Sequence, residues 1–189
     1  MMAQDILTFS SDALPPEFKW QILSFLRVQW PEGFRGRLAS RDRVNRNDLQ
    51  PLHFLLVEQS FVISHAALVW KYLDHAGQTY KAHGLSNVFT FPDHERQGYG
   101  KRIVDAATAY IRRSKDADIA MLWCQPHNRS FYLKCGWTFV EDARTLLTAE
   151  DGTVSQFNAT LMMLFLSEKG QQAQPAFWKE PIYFGRAAW

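Results

Sequence analysis

The stretch FPDHERQGYGKR, from Phe91 to Arg102, gathers the residues best suited to do chemistry in this chain. Gly98 and Gly100 stand one residue apart among Arg96, Lys101 and Arg102, after an apolar run and before a helical pattern. A strand that turns through glycines into a helix presents unpaired N–H groups at the positive end of the helix, a seat for anions and for phosphates above all. The glycines let the backbone approach a ligand closely and adopt φ > 0 where needed. The basic side chains add charge at the same spot. The stretch therefore predicts a phosphate seat, and two familiar ones fail on pattern. A dinucleotide fingerprint needs G-x-G-x-x-G early in a βαβ unit, and three antiparallel strands come first here. A P-loop needs Ser or Thr directly after its lysine, and neither Lys101 nor Arg102 is followed by one.

The other chemically able residues form no comparable cluster. His53, His75, His94 and His127 show no ligand spacing with each other or with Cys124 and Cys135, so no metal is expected. Two cysteines make neither a disulfide framework nor a metal box and read as free thiols. Cys124 ends an apolar run and reads as packing, whereas Cys135 beside Gly136 reads as more exposed. With 189 residues, 47% hydrophobic and 14% aromatic, the chain suits one packed globule. A formal net charge of +2 does not call for nucleic acid. The N-terminus lacks a basic leader before an apolar core, and nowhere do the roughly 18 apolar residues of a spanning helix occur in a row. The expectation is a cytoplasmic protein with no membrane partner.

The elements that must position the stretch follow from periodicity. Residues 5–9 read as a first strand, and Pro15-Pro16 then open a helix over Glu17–Trp30, where Phe18, Ile22, Phe25, Leu26 and Trp30 recur at helical spacing. Residues 31–50 hold five arginines without periodicity and read as a solvated loop, or as a flap that meets an anionic ligand. His53–Glu58 and Phe61–Leu73 form a hairpin across Gln59-Ser60, although that turn lacks the favoured Asn-Gly. Asp74–Thr79 makes a turn, and Tyr80–Phe91 is a third strand. A helix runs from about Tyr99 to Ser114. Ile119–Cys124 (IAMLWC) is a buried central strand. Asn128 caps a short helix over Arg129–Lys134 that Gly136 stops, and Trp137–Val140 and Ala159–Leu166 are the last strands. The tail Gln171–Trp189 carries five aromatics and is expected to pack on the domain or a partner. The reading is one α+β domain over residues 1–166, with an aromatic tail over 167–189.

In this setting Glu95-Arg96-Gln97-Gly98-Tyr99-Gly100 resembles the pyrophosphate-binding motif [QR]-x-x-G-x-[GA] of the GNAT superfamily of N-acetyltransferases. A second block, Asn128 to Trp137 (NRSFYLKCGW), is similar to that family's N-x-x-x-x-F/Y-Y-x-x-x-G-F segment in looser form. The two blocks stand in the family's order, separated by a helix, a strand and a short helix, and the resemblance covers roughly residues 5–166. One departure stands out: Glu95 occupies the first motif position, and Arg96 next to it supplies the positive charge. More weakly, Ser64-His65-Ala66-Ala67-Leu68-Val69 resembles the GHAAVV-like strand of aminoglycoside 2′-N-acetyltransferases; that subfamily's glutamate is replaced here by Ser86.

The resemblance implies a GNAT-like mixed, mostly antiparallel sheet flanked by helices, and transfer of an acetyl group from acetyl-CoA to a primary amine of a small molecule. It places the pyrophosphate on the amides of Gln97, Gly98, Tyr99, Gly100 and Lys101 beside Arg96, with Asn128 also at the donor. It pairs the pantetheine arm with the strand edge at Val88, Phe89, Thr90 and Phe91. Tyr132 matches the family's general acid for the departing thiolate. The base is His83, or a water held by Ser86 and Asn87. The alternatives are a non-catalytic acyl-CoA-binding module and a protein or peptide N-acetyltransferase. The aromatic tail makes a homodimer plausible.

Overall fold

A computed structural model describes residues 5–149, 151–186 and 189. Among the described residues, four helices and ten strands form two compact units. One draws on the chain up to Val69 and on Ser86–Ala107, the other on Trp70–Leu85 and the chain from Thr108 on. Strands β3 (Phe61–His75) and β4 (Gln78–Thr90) and helix α2 (Tyr99–Arg113) contribute to both.

In the first unit, β1 (Ile6–Ser10) pairs antiparallel with β2 (Leu52–Glu58), and β2 with β3. Helix α1 (Pro16–Gln29) begins with proline at its first position, where a missing N–H costs nothing, and carries Glu17 in its first turn and Arg27 in its last. Its buried stripe of Ile22, Leu23 and Leu26 packs with Leu55, Val62 and Phe89. Phe25 stacks on Phe89 with ring centroids 4.2 Å apart.

The β2–β3 turn places Gln59 and Ser60 at φ 48° and 74°, the left-handed pair a two-residue hairpin demands even without glycine. The Gln21 amide holds it from α1, donating to the Ser60 carbonyl and accepting from the Val62 N–H, each at 2.9 Å. The 31–50 segment, expected as a solvated loop or a flap, is largely exposed, folds into three short 3-10 turns and buries Phe34, Val44 and Asn45. Three of its arginines make local bonds: Arg35 to Glu32, Arg46 to Asp48, and Arg41 to the carbonyls of Arg43 and Val44.

The second unit carries β4 parallel to β5 (Ile119–Cys124), while β5 and β6 (Thr138–Phe139) each pair antiparallel with β9 (Thr160–Phe165). Between β6 and β9 the chain forms two strands that the sequence reading missed. These are β7 (Thr145–Thr148) and β8 (Val154–Phe157), and they join β10 (Ile182–Gly185) in a second sheet. The Asn128 side chain does not cap α3 (Arg129–Lys134), because the residue has φ −88° and ψ −5° and already lies in the helical region. Cys135 is buried, not exposed: the turn at Gly136, with φ 78°, folds the chain back over it.

The tail forms α4 (Glu168–Lys179) and β10. The Ser167 hydroxyl accepts the Gly170 N–H at the start of α4 and donates to the Asp118 carboxylate. A Cβ at Gly170 would lie 2.1 Å from the Asp118 carbonyl oxygen, so only glycine lets α4 dock. Phe177 and Phe184 are 0% and 1% exposed in this unit's core. Among the described residues, no helix is long and apolar enough to cross a membrane.

A chain of hydrogen bonds threads the first unit's sheet. Ser11 Oγ lies 3.1 Å from His53 Nε2, His53 Nδ1 lies 3.1 Å from His65 Nε2, and His65 Nδ1 lies 2.8 Å from the Asn87 carbonyl. Burial depresses both imidazoles, His53 to about 4 and His65 to about 3, the latter also through its neighbour His53. Both rings are therefore neutral when folded but take up protons near pH 6.5 when unfolded. Their contribution is complete above pH 6.5 and lost as the pH falls toward 4. Denaturant unfolding should show about 3 kcal/mol less stability at pH 5.5 than at pH 7.5 from these two groups. Replacing both with Asn should flatten that fall, leaving the part due to His75 and His83, which burial also depresses. An unchanged pH slope in the double variant would contradict this assignment.

Candidate functional site

The end of β4 and the turn into α2 carry the predicted donor-binding residues other than Asn128 as one continuous run of the first unit. A short 3-10 turn, Pro92–His94, follows the strand. The backbone then goes left-handed twice, at Arg96 with φ 60° and at Gly98 with φ 86°. Gly98 alone of the two escapes a Cβ penalty, and a Cβ built there meets nothing within 4 Å. The space over Gly98 is therefore open to a ligand. The Arg102 N–H donates to the Gly98 carbonyl at 3.0 Å, so Gly98 directly precedes the first helical turn. The N–H groups of that turn have no acceptor within the helix and point out of its positive end. The Gln97 side chain donates to the Asp93 carbonyl at 3.0 Å and braces the turn. Arg96 and Gln97 are exposed, and Lys101 is ion-paired with Asp105 at 2.5 Å. Charge at the seat thus comes from Arg96 and the helix terminus more than from Lys101.

The strand leading into the turn has an unusual division of its main chain. The β4–β5 ladder comprises Ala82↔Ile119, His83↔Ala120 and Gly84↔Met121, yet β4 runs on to Thr90. Asn87, with φ 50°, breaks the regular pleat as a bulge does. Beyond it, the carbonyls of Asn87 and Phe89 are held by side chains of β3. His65 Nδ1 binds the first, and Ser64 Oγ donates to the second at 2.9 Å. The Phe91 N–H donates to the Ile63 carbonyl at 2.9 Å. Since alternate residues of a strand direct their main-chain groups to opposite edges, Val88 and Thr90 direct theirs away from β3.

Ser86 is buried and accepts from Asn45 Nδ2 at 3.0 Å. The Asn87 amide donates to Asn45 Oδ1 at 3.1 Å and to the Val44 carbonyl at 3.3 Å. These two β4 side chains therefore grip the 44–45 segment, and Asn45 joins the site although nothing in its sequence context singled it out. His53 and His65 belong to the same surroundings, and a histidine pair twelve residues apart shows itself only once the hairpin is formed.

The remaining candidates lie in the second unit. His83 is 5% exposed, and neither ring nitrogen has a hydrogen-bond partner among the described residues. Burial depresses its pKa, so the ring is neutral at pH 7. Tyr132, on α3, is 8% exposed; burial first, then Cys124 and Cys135, drive its pKa upward. It is a phenol that keeps its proton, a donor and not a base. Burial pushes the Cys124 thiol up to about 11, which suits packing and not nucleophilic attack. Asn128 is exposed just before α3. Among the described residues, no group of three or more His, Cys, Asp or Glu side chains is arranged to hold a metal ion.

Solved structures share the fold at low identity. An aminoglycoside 6′-N-acetyltransferase complexed with coenzyme A is 14% identical, with TM-score 0.57 over 85% of this chain and 97% of the other. A GNAT-family acetyltransferase from Staphylococcus aureus MU50 is 14% identical, with TM-score 0.56 over 86% of this chain and 100% of that one. A conserved protein of Enterococcus faecalis V583 is 13% identical, with TM-score 0.55; the match takes in 72% of this chain but only 33% of that longer protein. No curated protein matches the sequence. The family model of the acetyltransferase (GNAT) domain matches residues 23–140, more than half of the chain, from within α1 through the glycine turn to β6. The chain belongs to the GNAT acetyltransferase family, and acyl transfer from an acyl-CoA is its chemistry.

Proposed function

We propose that the protein is an N-acetyltransferase that moves the acetyl group of acetyl-CoA to a primary amine of a small molecule, by direct attack within a ternary complex. The observation that carries this reading is the run from Val88 to Lys101, where a strand edge that, among the described residues, lies beyond the β4–β5 ladder leads into an open, left-handed glycine turn at a helix N-terminus. The pyrophosphate would sit on the amides from Gln97 to Lys101, with Arg96 beside it, and the pantetheine amides would add to the edge at Val88 and Thr90. Of the amides near the thioester, that of Val88 suits the developing oxyanion best, because the Phe89 main chain is engaged with β3.

The amine nitrogen attacks the thioester carbonyl, the tetrahedral oxyanion collapses, and the C–S bond breaks. His83 or a water on the Ser86 hydroxyl takes the amine proton, which ends on the CoA thiol or in solvent. Tyr132 holds its proton more tightly than an ordinary thiol of pKa about 8.5, so full transfer to the thiolate is uphill. Its contribution is a hydrogen bond to the departing sulfur. A small acceptor is favoured because Val44 and Asn45 are fastened onto β4 at Ser86 and Asn87, which covers a face that a polypeptide acceptor needs open. Glu95, exposed at the motif's first place, keeps a non-catalytic acyl-CoA-binding role as the second reading. Thiol release with a panel of amines separates the two, since binding without turnover across the panel would support the second.

Gly98→Glu should abolish acetyl-CoA binding and leave the fold, because the new carboxylate would occupy the space over the turn. In a thermal-shift titration the variant should lose the ligand-induced rise in Tm; an unchanged rise would refute the seat. Tyr132→Phe should lower kcat by about tenfold to a hundredfold while acetyl-CoA affinity moves by less than about twofold. Equal losses in both would remove Tyr132 from the chemical step.

A further inference from the structure

The buried histidine pair has a chemical direction. A carbonyl oxygen only accepts, so the 2.8 Å contact between His65 Nδ1 and the Asn87 carbonyl requires the proton on Nδ1. His65 is neutral, so its Nε2 carries a lone pair and accepts. The facing atom, His53 Nδ1 at 3.1 Å, must then be the donor. His53 Nε2 is left to accept from the Ser11 hydroxyl at 3.1 Å. One arrangement of protons satisfies all three contacts, and every proton points toward Asn87.

Asn87 is the residue that needs holding. It is a non-glycine at φ 50° inside a strand, a conformation that persists only where its surroundings impose it. Its side chain is tied to Val44 and Asn45, and its carbonyl to His65. The peptide group that carries this carbonyl also carries the Val88 N–H. Turning the carbonyl toward β3 therefore turns the Val88 N–H the opposite way, since the two groups of a trans peptide are antiparallel. We propose that His65, oriented by His53, is a positioning residue: it sets the Asn87–Val88 peptide plane and so aims the Val88 N–H at the reacting thioester. His65 touches neither substrate, and the inference about the thioester rests on the acetyl-transfer reading above.

The pairing has a built-in test, because asparagine places an amide N–H where Nδ1 stands and glutamine places one where Nε2 stands. Two-dimensional 15N NMR of the wild-type chain should show both imidazoles protonated at Nδ1 and bare at Nε2. An Nε2–H tautomer on His65 would overturn the proposal with no variant needed. His65→Asn should keep the Asn87 and Val88 backbone amide shifts near those of the wild type and keep kcat within about threefold. His65→Gln should displace those shifts and lower kcat by about tenfold or more, with acetyl-CoA affinity changed by less than about twofold. His53→Asn and His53→Gln should repeat the contrast more weakly. Equal effects of Asn and Gln at position 65 would reduce the pair to packing and overturn the proposal. If the wild type transfers no acyl group to any amine, the functional reading falls separately. The tautomers and the two amide shifts then decide the positioning claim by themselves.

Discussion

A strand that lends its edge to a ligand cannot satisfy that edge within the protein. That constraint organises the site. β4 is bonded to β5 through three residue pairs and then runs on to Thr90 without further partners on that ladder. Peptide groups away from water rarely go unpaired, so on the proposed reading this half-buried edge is held for something that supplies donors and acceptors of its own. A pantetheine arm, with two amides at roughly peptide spacing, fits that need. The glycine turn continues the same logic a few residues on, at a helix terminus where the diphosphate would lie.

Holding this arrangement requires support from the other side. The left-handed residues Asn87 and Arg96 each cost on the order of 1–3 kcal/mol as backbone strain. At Asn87 the compensation is visible. Its carbonyl is bound by His65 and its amide by Asn45 and Val44, while the neighbouring Phe89 carbonyl is bound by Ser64. Polar side chains from β3 and from the 31–50 segment thus replace the regular ladder that the bulge disrupts. Because these groups are buried or half-buried, an unmade bond costs more than a made one contributes, which favours a single geometry for the strand end.

Much of this was legible from periodicity alone. The strands, α1, α2 and the buried β5 stand close to their expected places because each buries a stripe or run of apolar residues that the local pattern displays. The glycine turn and the helix start proposed to seat a phosphate were legible because both are local features. What escaped notice depends on contacts distant in sequence. β7, β8 and β10 are short and gain their partners only across the second sheet. Asn45 and the His53–His65 pair acquire meaning only when the hairpin and the 44–45 segment meet β4. The five arginines left open a solvated loop or a flap meeting an anion; the local ion pairs and carbonyl contacts of Arg35, Arg41 and Arg46 appear only once the segment is folded. Asn128 stands at the expected helix start, but its own backbone is already helical, so its side chain has no N–H to cap.

The central claim is that main-chain donors between Arg96 and Lys101 hold the diphosphate. The most direct measurement compares coenzyme A with pantetheine, which lacks the phosphates, in an amide-resolved NMR titration. On this account coenzyme A shifts the Gln97, Gly98, Tyr99 and Gly100 amides and saturates at far lower concentration than pantetheine, which leaves those four unmoved. Equal affinity for the two ligands, or binding of coenzyme A that leaves those amides in place, would contradict it.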